Sequence, residues 1–325
     1  MKKLNLSLAI LALAAMSVNA QTTVNSGIVG YQTSTIAGKG AGASFLSFVP
    51  NNLAKATIFT GGGTAVGTTV TLAGASLSGS IGPVSGVPTH YLLVNSGTGA
   101  GYVTDVTAFT AGSVTTADDL SSSIPAGTTV SVVPHTKLTD ILGTTTGLLV
   151  TGGSTVSAAD NVYLVDAAGA LKIYYYKTGV GAGWKTSSGT DATATIVYPG
   201  ESIIVSRKQT ALVSVVTVGQ VASQQTKAVF TQNMNSACSG APVGLTLSAL
   251  YPSISGGSTV SAADNVYLIN PTTGALDIFY YKTGVGAGWK TAAGATADST
   301  RDISSGYLVK RKAATVAVLT QNKTW

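Results

Sequence analysis

Apolar and β-branched residues recur along this chain in short alternating runs, punctuated by Gly, Ser and Pro, with no extended helical period between them. Alternation with a period of two turns every second side chain toward one face, the pattern of a half-buried strand. Residues 161–165 read as a strand closed by the Asp166-Ala167-Ala168-Gly169 turn. Residues 171–177 read as the next, with Leu171, Ile173 and Tyr175 on one face and Lys172, Tyr174 and Tyr176 on the other. Further strands are expected around Trp184 and at 194–198, 202–206 and 212–218; upstream they are expected at 43–49, 57–59, 68–72, 91–94, 101–106 and 128–133. Only 138–142 suggests a turn of helix, with 245–250 as its counterpart. Short strands with a turn every ten residues or so predict an antiparallel sandwich or a small barrel.

The chain also repeats itself. GGSTVSAADNVYL stands at 152–164 and again at 256–268, and YYKTGVGAGWKT at 175–186 and again at 280–291. Asp160 and Asp264 set the period at about 104 residues. The second copy carries one extra residue in its Asn270-Pro271-Thr272-Thr273-Gly274 turn, where a surface connection absorbs insertion at little cost. Internal repetition governs the expected architecture. That expectation is an all-β chain of serial antiparallel β-sandwich or small-barrel modules containing a tandem duplication. The expected partition is an N-terminal β module at 21–135, a first repeat module at 136–222 and a second at 223–325. The polar run Gln220, Ser223, Gln224, Gln225 reads as a linker between the repeats or, equally, as a loop.

Lys2 and Lys3 precede an apolar run that ends in Val18-Asn19-Ala20. This pattern predicts a signal peptide at 1–20 cut before Gln21, because the run is shorter than the roughly 20 residues that span a bilayer. No later stretch reads as a transmembrane helix, so the expected location is outside the cytoplasm: extracellular, on the outer surface or periplasmic. Removing Lys2 and Lys3 takes the formal charge from +6 to +4, and the one basic cluster is Lys310-Arg311-Lys312. The phosphate-neutralising patch that nucleic acid requires is therefore not expected. Cys238 is the single cysteine, which excludes an intrachain disulfide and favours a buried thiol.

Candidate chemistry is sparse. Trp184 and Trp289 each follow a glycine-rich loop beside a tyrosine-rich strand, so stacking on sugar rings is one reading and core packing the other. The possible glycan contacts are Trp184, Tyr174 and Tyr176 in the first copy and Trp289, Phe279 and Tyr281 in the second. Asp160-Asn161 and Asp264-Asn265 offer two side-chain oxygen donors per copy, short of the six to eight that calcium takes, and an Asx turn explains them better. Arg207-Lys208 and Arg311-Lys312 read as solvated strand ends or as contacts to anionic polymers. The triplet Gly61-Gly62-Gly63 reads as a hairpin connection. His90 and His135 are the only histidines and Glu201 the only glutamate. No GxSxG elbow accompanies the histidines, which are not expected to meet each other or a Ser and an Asp in a concave pocket. No metal, cofactor or catalytic residue is expected.

The order of motifs is more distinctive than any one of them. GYQTSTIAGKGAGASFLSFVP is followed by YLLV…GYVTDV, SIPAGTTVSVVPHTKL, DNVYL…YYYKTG…GWK, a Pro-Gly turn and IIVSRK. This order resembles a family of uncharacterised exported β-rich repeat proteins of Verrucomicrobia-type bacteria. The resemblance maps onto Tyr174, Tyr175, Tyr176, Trp184, Pro199, Gly200 and Arg207, and onto Phe279, Tyr280, Tyr281, Trp289 and Arg311. Ser304-Ser305-Gly306 replaces the Pro-Gly turn in the second copy. The resemblance implies export and a tripartite β architecture, and no enzymatic activity. The resulting expectation is a secreted or cell-surface structural or interaction protein that self-associates or contacts surface polysaccharide. The alternative is a non-catalytic carbohydrate-binding protein using Trp184 and Trp289.

Overall fold

The computed structural model describes residues 28–40, 45–79, 81–145, 147–222, 224–240 and 244–321, so the expected signal peptide and its cleavage site lie outside the described residues. Nearly all regular structure is β, in antiparallel sheets. No helix among the described residues is long and apolar enough to cross a membrane. Strands β1 (Val29–Ile36), β2 (Leu46–Pro50) and β3 (Leu53–Ala54) open the chain. A closed barrel follows: β4 (Phe59–Val66), β5 (Thr69–Leu72), β6 (His90–Val94), β7 (Val103–Phe109), β8 (Ser113–Thr116) and β9 (Thr128–Pro134), in the order β4-β5-β8-β7-β6-β9. Closure removes both sheet edges. The inward side chains, among them Val70, Leu92, Val106, Val114, Ile124 and Val130, fill the interior. The Gly61-Gly62-Gly63 triplet is not a hairpin but the middle of β4, paired to β9. A Cβ at Gly63 would press on Val130, so the filled interior asks for a residue without a side chain there.

The first repeat then resumes with β10 (Thr136–Lys137), helix α1 (Leu138–Leu142), β11 (Asn161–Val165), β12 (Leu171–Lys177), β13 (Gly183–Thr186), β14 (Ile196–Val197), β15 (Ser202–Ser206) and β16 (Val213–Val221). The second runs β17 (Thr226–Phe230), β18 (Asn233–Ala237), a 3-10 turn (Leu247–Leu250), β19 (Asn265–Ile269), β20 (Leu276–Lys282), β21 (Gly288–Thr291), β22 (Tyr307–Arg311) and β23 (Ala317–Gln321). The first five-stranded sheet is β13-β12-β11-β15-β2 and the second is β18-β22-β19-β20-β21. Strand β1 pairs β16 as β17 pairs β23, and β2 pairs β15 as β18 pairs β22. The repeat is therefore longer than its letter identity, and residues 29–54 pair into the first copy. A module boundary at 135 cuts across these sheets: the barrel is an insertion between β3 and β10. The expected linker is also strand at both ends, since Gly219–Val221 close β16 and Thr226 opens β17.

Each copy packs its sheet over its own core. Val162, Leu164, Trp184, Ile203 and Val205 belong to the first, and Val266, Leu268, Trp289, Tyr307 and Val309 to the second. The alternate residues of the same strands face the other copy. Tyr163 and Tyr267, Val165 and Ile269, Ile204 and Leu308, and Leu46 and Met234 hold matching positions in one shared cluster. The β11–β12 turn of the first copy presses Gly169 on Asn233 and Met234, while the β19–β20 turn of the second presses Gly274 on Phe45. Leu46 N–H donates to the Gly274 carbonyl at 3.1 Å. This reciprocity is that of an isologous, two-fold interface built within one chain.

One buried ion pair recurs in both copies. Asp160 is fully buried; its Oδ2 lies 3.3 Å from Arg207 Nε and accepts from Thr151 N–H at 2.7 Å. Its Oδ1 accepts from Lys208 N–H at 2.6 Å, and Arg207 Nη1 donates to the Ala211 carbonyl at 2.8 Å. In the second copy Asp264 pairs with Arg311 at 3.6 Å and accepts from Ser255 and Lys312 N–H, each at 2.8 Å, while Arg311 Nη2 donates to the Thr315 carbonyl at 3.0 Å. The carboxylates are thus neither calcium ligands nor Asx caps, since their bonds reach distant segments. The arginines are not solvated strand ends: both are buried. Removing one partner strands a buried charge, which costs about 3–5 kcal/mol. Asp160→Ala and Asp264→Ala should each show that loss in denaturant unfolding, whereas Asp191→Ala, at an exposed ion pair, should cost less than about 1 kcal/mol.

Candidate functional site

The aromatic residues proposed as glycan contacts divide sharply. Trp184 and Trp289 are 1% and 5% exposed, each inside its module core. Trp184 Nε1 donates to the Gly143 carbonyl at 2.8 Å, and Tyr176 meets the indole edge-on. Tyr176 is buried, its hydroxyl 3.0 Å from Thr145 Oγ1. Phe279 is buried beneath the Arg301 guanidinium, 5.2 Å from its centroid. Tyr281 is half-buried and stacks on Tyr251 at 3.6 Å while meeting Trp289 edge-on. The expectation of a stacking platform on Trp184 and Trp289 is therefore corrected. The glycine loops turn each following strand inward, and the indoles are spent on core packing. Of the six, Tyr174 alone lines an open groove.

The structure sets the two histidines near each other, outside both of the concavities described below. Pairing of β6 with β9 sets His90 opposite Pro134, beside His135. Burial first, then the neighbouring His135 and Lys55, holds His90 below its ordinary value. His135 Nε2 is 3.0 Å from Asp105 Oδ1, out of hydrogen-bond alignment, and its ring packs against Tyr91 and Tyr198. The His135 side chain is wholly buried, and neither histidine lines either of the concavities described next. The cluster seams the barrel to the first repeat; Tyr198 Oη completes it by donating to Asp105 Oδ2 at 3.0 Å.

Two concavities adjoin where the three bodies meet. A cavity of about 390 Å³ is walled by Leu53, Tyr91, Leu93 and Val133 and edged by amides such as Asn51, Asn95 and Gln220. The second, a groove of about 830 Å³, runs between Tyr102 of the barrel, Tyr174 and Tyr198 of the first repeat, and β17 and β18 of the second. Asp166, Asp191 and Glu201 line it as well. Its walls are tied together. Ser236 Oγ donates to the Ser202 carbonyl at 2.5 Å, joining the two repeats, and Lys227 Nζ donates to the Thr98 carbonyl at 3.1 Å, joining the second repeat to the barrel. Sequence reasoning missed the groove because its walls come from segments more than a hundred residues apart, and no local motif marks them.

Electrostatics in the groove are subdued. Lys172 lies 3.2 Å from Asp166 and Lys185 lies 3.3 Å from Asp191. Hydrogen bonding from Ala170 N–H, then from Lys172, holds Asp166 below its ordinary value. Burial raises the phenols of Tyr102, Tyr174 and Tyr198. Burial also pushes Glu201 up to about 7, although its carboxylate accepts from Tyr198 N–H at 2.9 Å. Beside it Cys238 is buried, its thiol donating to the Glu201 carbonyl at 3.3 Å and pushed up to about 12.

No protein-family model matches this chain, and comparison with curated proteins and with solved structures returned no match. The geometry of the three bodies and of the groove between them is what bears on function.

Glu201 gives the stability a pH dependence of definite sign. The folded chain holds its proton up to about pH 7, while the unfolded chain releases it near the ordinary 4.5. Between those values the folded state binds more protons, so stability falls as pH rises and levels off above 7. Thermal midpoints measured from pH 5 to pH 8 should fall more, or rise less, in the native chain than in Glu201→Gln, because His90, held below its ordinary value, contributes the opposite slope to both.

Proposed function

We propose that this chain is an exported structural or interaction protein of the cell surface or surrounding matrix, acting through a rigid three-body shape and not through bond-making chemistry. The observation that carries this reading is the use made of the duplicated residues. Asp160, Arg207 and Trp184, with Asp264, Arg311 and Trp289, all lie inside their modules, so the conserved chemistry of the repeat serves folding. The exposed features are those of contact. Val29 and Tyr31 of β1 and Val216 and Val218 of β16 face solvent on one ribbon, with Tyr31 directly opposite Val218. Val180 and Val285, at the tips of the two glycine loops, are 95% and 94% exposed. Apolar strand faces and open edges are surfaces on which neighbouring chains pair.

Fractionation of native cells, with sequencing of the protein's N-terminus and electron microscopy of the purified protein, tests the reading. The expected result is a chain beginning at Gln21 in the surface or matrix fraction, assembled with itself or with surface material. A chain retained in the cytoplasm, or a periplasmic monomer with no surface fraction, would contradict it.

A further inference from the structure

The groove has the chemistry of a ligand site. Its volume lies within the range of about 300–1,000 Å³ typical of small-molecule sites, and it is open along its length. Two tyrosines face it from different bodies, Tyr102 from the start of the barrel strand β7 and Tyr174 from β12. Aromatic faces present apolar area at small conformational cost, and a phenol adds a polar tip that both donates and accepts. Asp166 and Asp191 line the same groove, and a carboxylate accepts several hydrogen bonds at once. The contacts Tyr198–Asp105, Lys227–Thr98 and Ser236–Ser202 fix the walls relative to one another. A ligand therefore meets a site already formed, and loses little to ordering it.

Charge selects the class of ligand. Asp166 and Asp191 each have a lysine within 3.3 Å, so their fields are largely neutralised locally. The groove is consequently no strong trap for an ion of either sign, since Lys227 lines it beside the paired carboxylates. Aromatic rings together with acceptors for hydroxyls on one set of walls suit a molecule with flat C–H faces and a rim of hydroxyls. We propose that the groove binds a neutral saccharide chain, with Tyr102 and Tyr174 stacking on its rings and Asp191 accepting from its hydroxyls. Tyr174 thus keeps the role that burial denies to Trp184 and Trp289. The proposal rests on the reading of the chain as an interaction protein. That reading fails by fractionation and the groove fails by binding, so each can fall alone.

Calorimetric titration of the full chain tests it, with cellohexaose, xylohexaose, chitohexaose and maltohexaose as probes and with polygalacturonate and hexalysine as charged controls. At least one neutral hexasaccharide should bind with a Kd below about 1 mM, a free energy beyond about −4 kcal/mol, and the charged controls should not. Tyr102→Ser should weaken that binding at least about tenfold, and Tyr102→Phe, which keeps the ring, should restore it; one mismatched contact of this size is about 1.4 kcal/mol. Tyr102 also packs on the barrel core, so thermal midpoints accompany each variant. Asp191→Ala, on an exposed loop, supplies a second probe that leaves folding intact and should also weaken binding. Trp184→Phe should leave affinity unchanged. Binding by none of the four hexasaccharides, preference for either charged control, or affinity unchanged in both Tyr102→Ser and Asp191→Ala would overturn the proposal.

Discussion

The buried carboxylate–guanidinium pair is the interaction on which each repeat is organised. An ionised Asp in an apolar core is strongly unfavourable unless its charge and its oxygens are all answered. Asp160 is answered by Arg207 and by two backbone amides, Thr151 and Lys208, from either side of the module. These partners fix where β11 begins, where β15 ends and how the chain turns into β16. Arg207 in turn fastens that turn through the Ala211 carbonyl. Asp264, Arg311, Ser255, Lys312 and Thr315 repeat the arrangement, with Arg311 Nε facing the carboxylate at 3.6 Å as an ion pair without a hydrogen bond. An apolar pair could fill the same volume, but it would not specify which backbone segments must converge.

With the strand ends fixed, both faces of each sheet become usable. The Ser202–Ser206 strand is buried throughout, one set of side chains in its own core and the alternate set against the other copy. Two equivalent faces that complement themselves can close on each other about a two-fold axis, and here they do so within one chain. The barrel hangs from the first copy as an insertion, and its contacts with both repeats create the groove. Shape, burial and the candidate binding surface thus follow from one duplicated unit plus one inserted body.

Local pattern carried much of the fold. Residues 161–165, 171–177, 202–206 and the helical turn at 138–142 are where alternation and punctuation placed them; 161–165 and 171–177 form a local hairpin, whereas 202–206 pairs β11 and the distant β2. The pairing of β1 with β16 joins residues about 185 positions apart, and nothing in the run Val29–Ile36 names its partner. That is why residues 29–54 read as part of the barrel region. The aromatic residues were undecidable for a different reason. Trp184 fits a core and an exposed platform equally well on composition, and only the turn made by the preceding glycines sends it inward. Asp160 and Arg207 are 47 positions apart and look like independent surface charges until the fold brings them together. The groove was least legible of all, since three bodies contribute to it.

Hydrogen exchange at individual backbone amides measures the ion-pair node directly, without altering a residue. Lys208 and Lys312 follow the buried arginines at strand ends, positions where amides ordinarily fray and exchange quickly. The account holds that their bonds to Asp160 and Asp264, like those of Thr151 and Ser255, open only when the whole module opens. These four amides should therefore exchange as slowly as those of Val162 and Val205 at the centre of the sheet. Exchange of Lys208 and Lys312 at the rate of exposed loop amides, with Val162 and Val205 still protected, would contradict it.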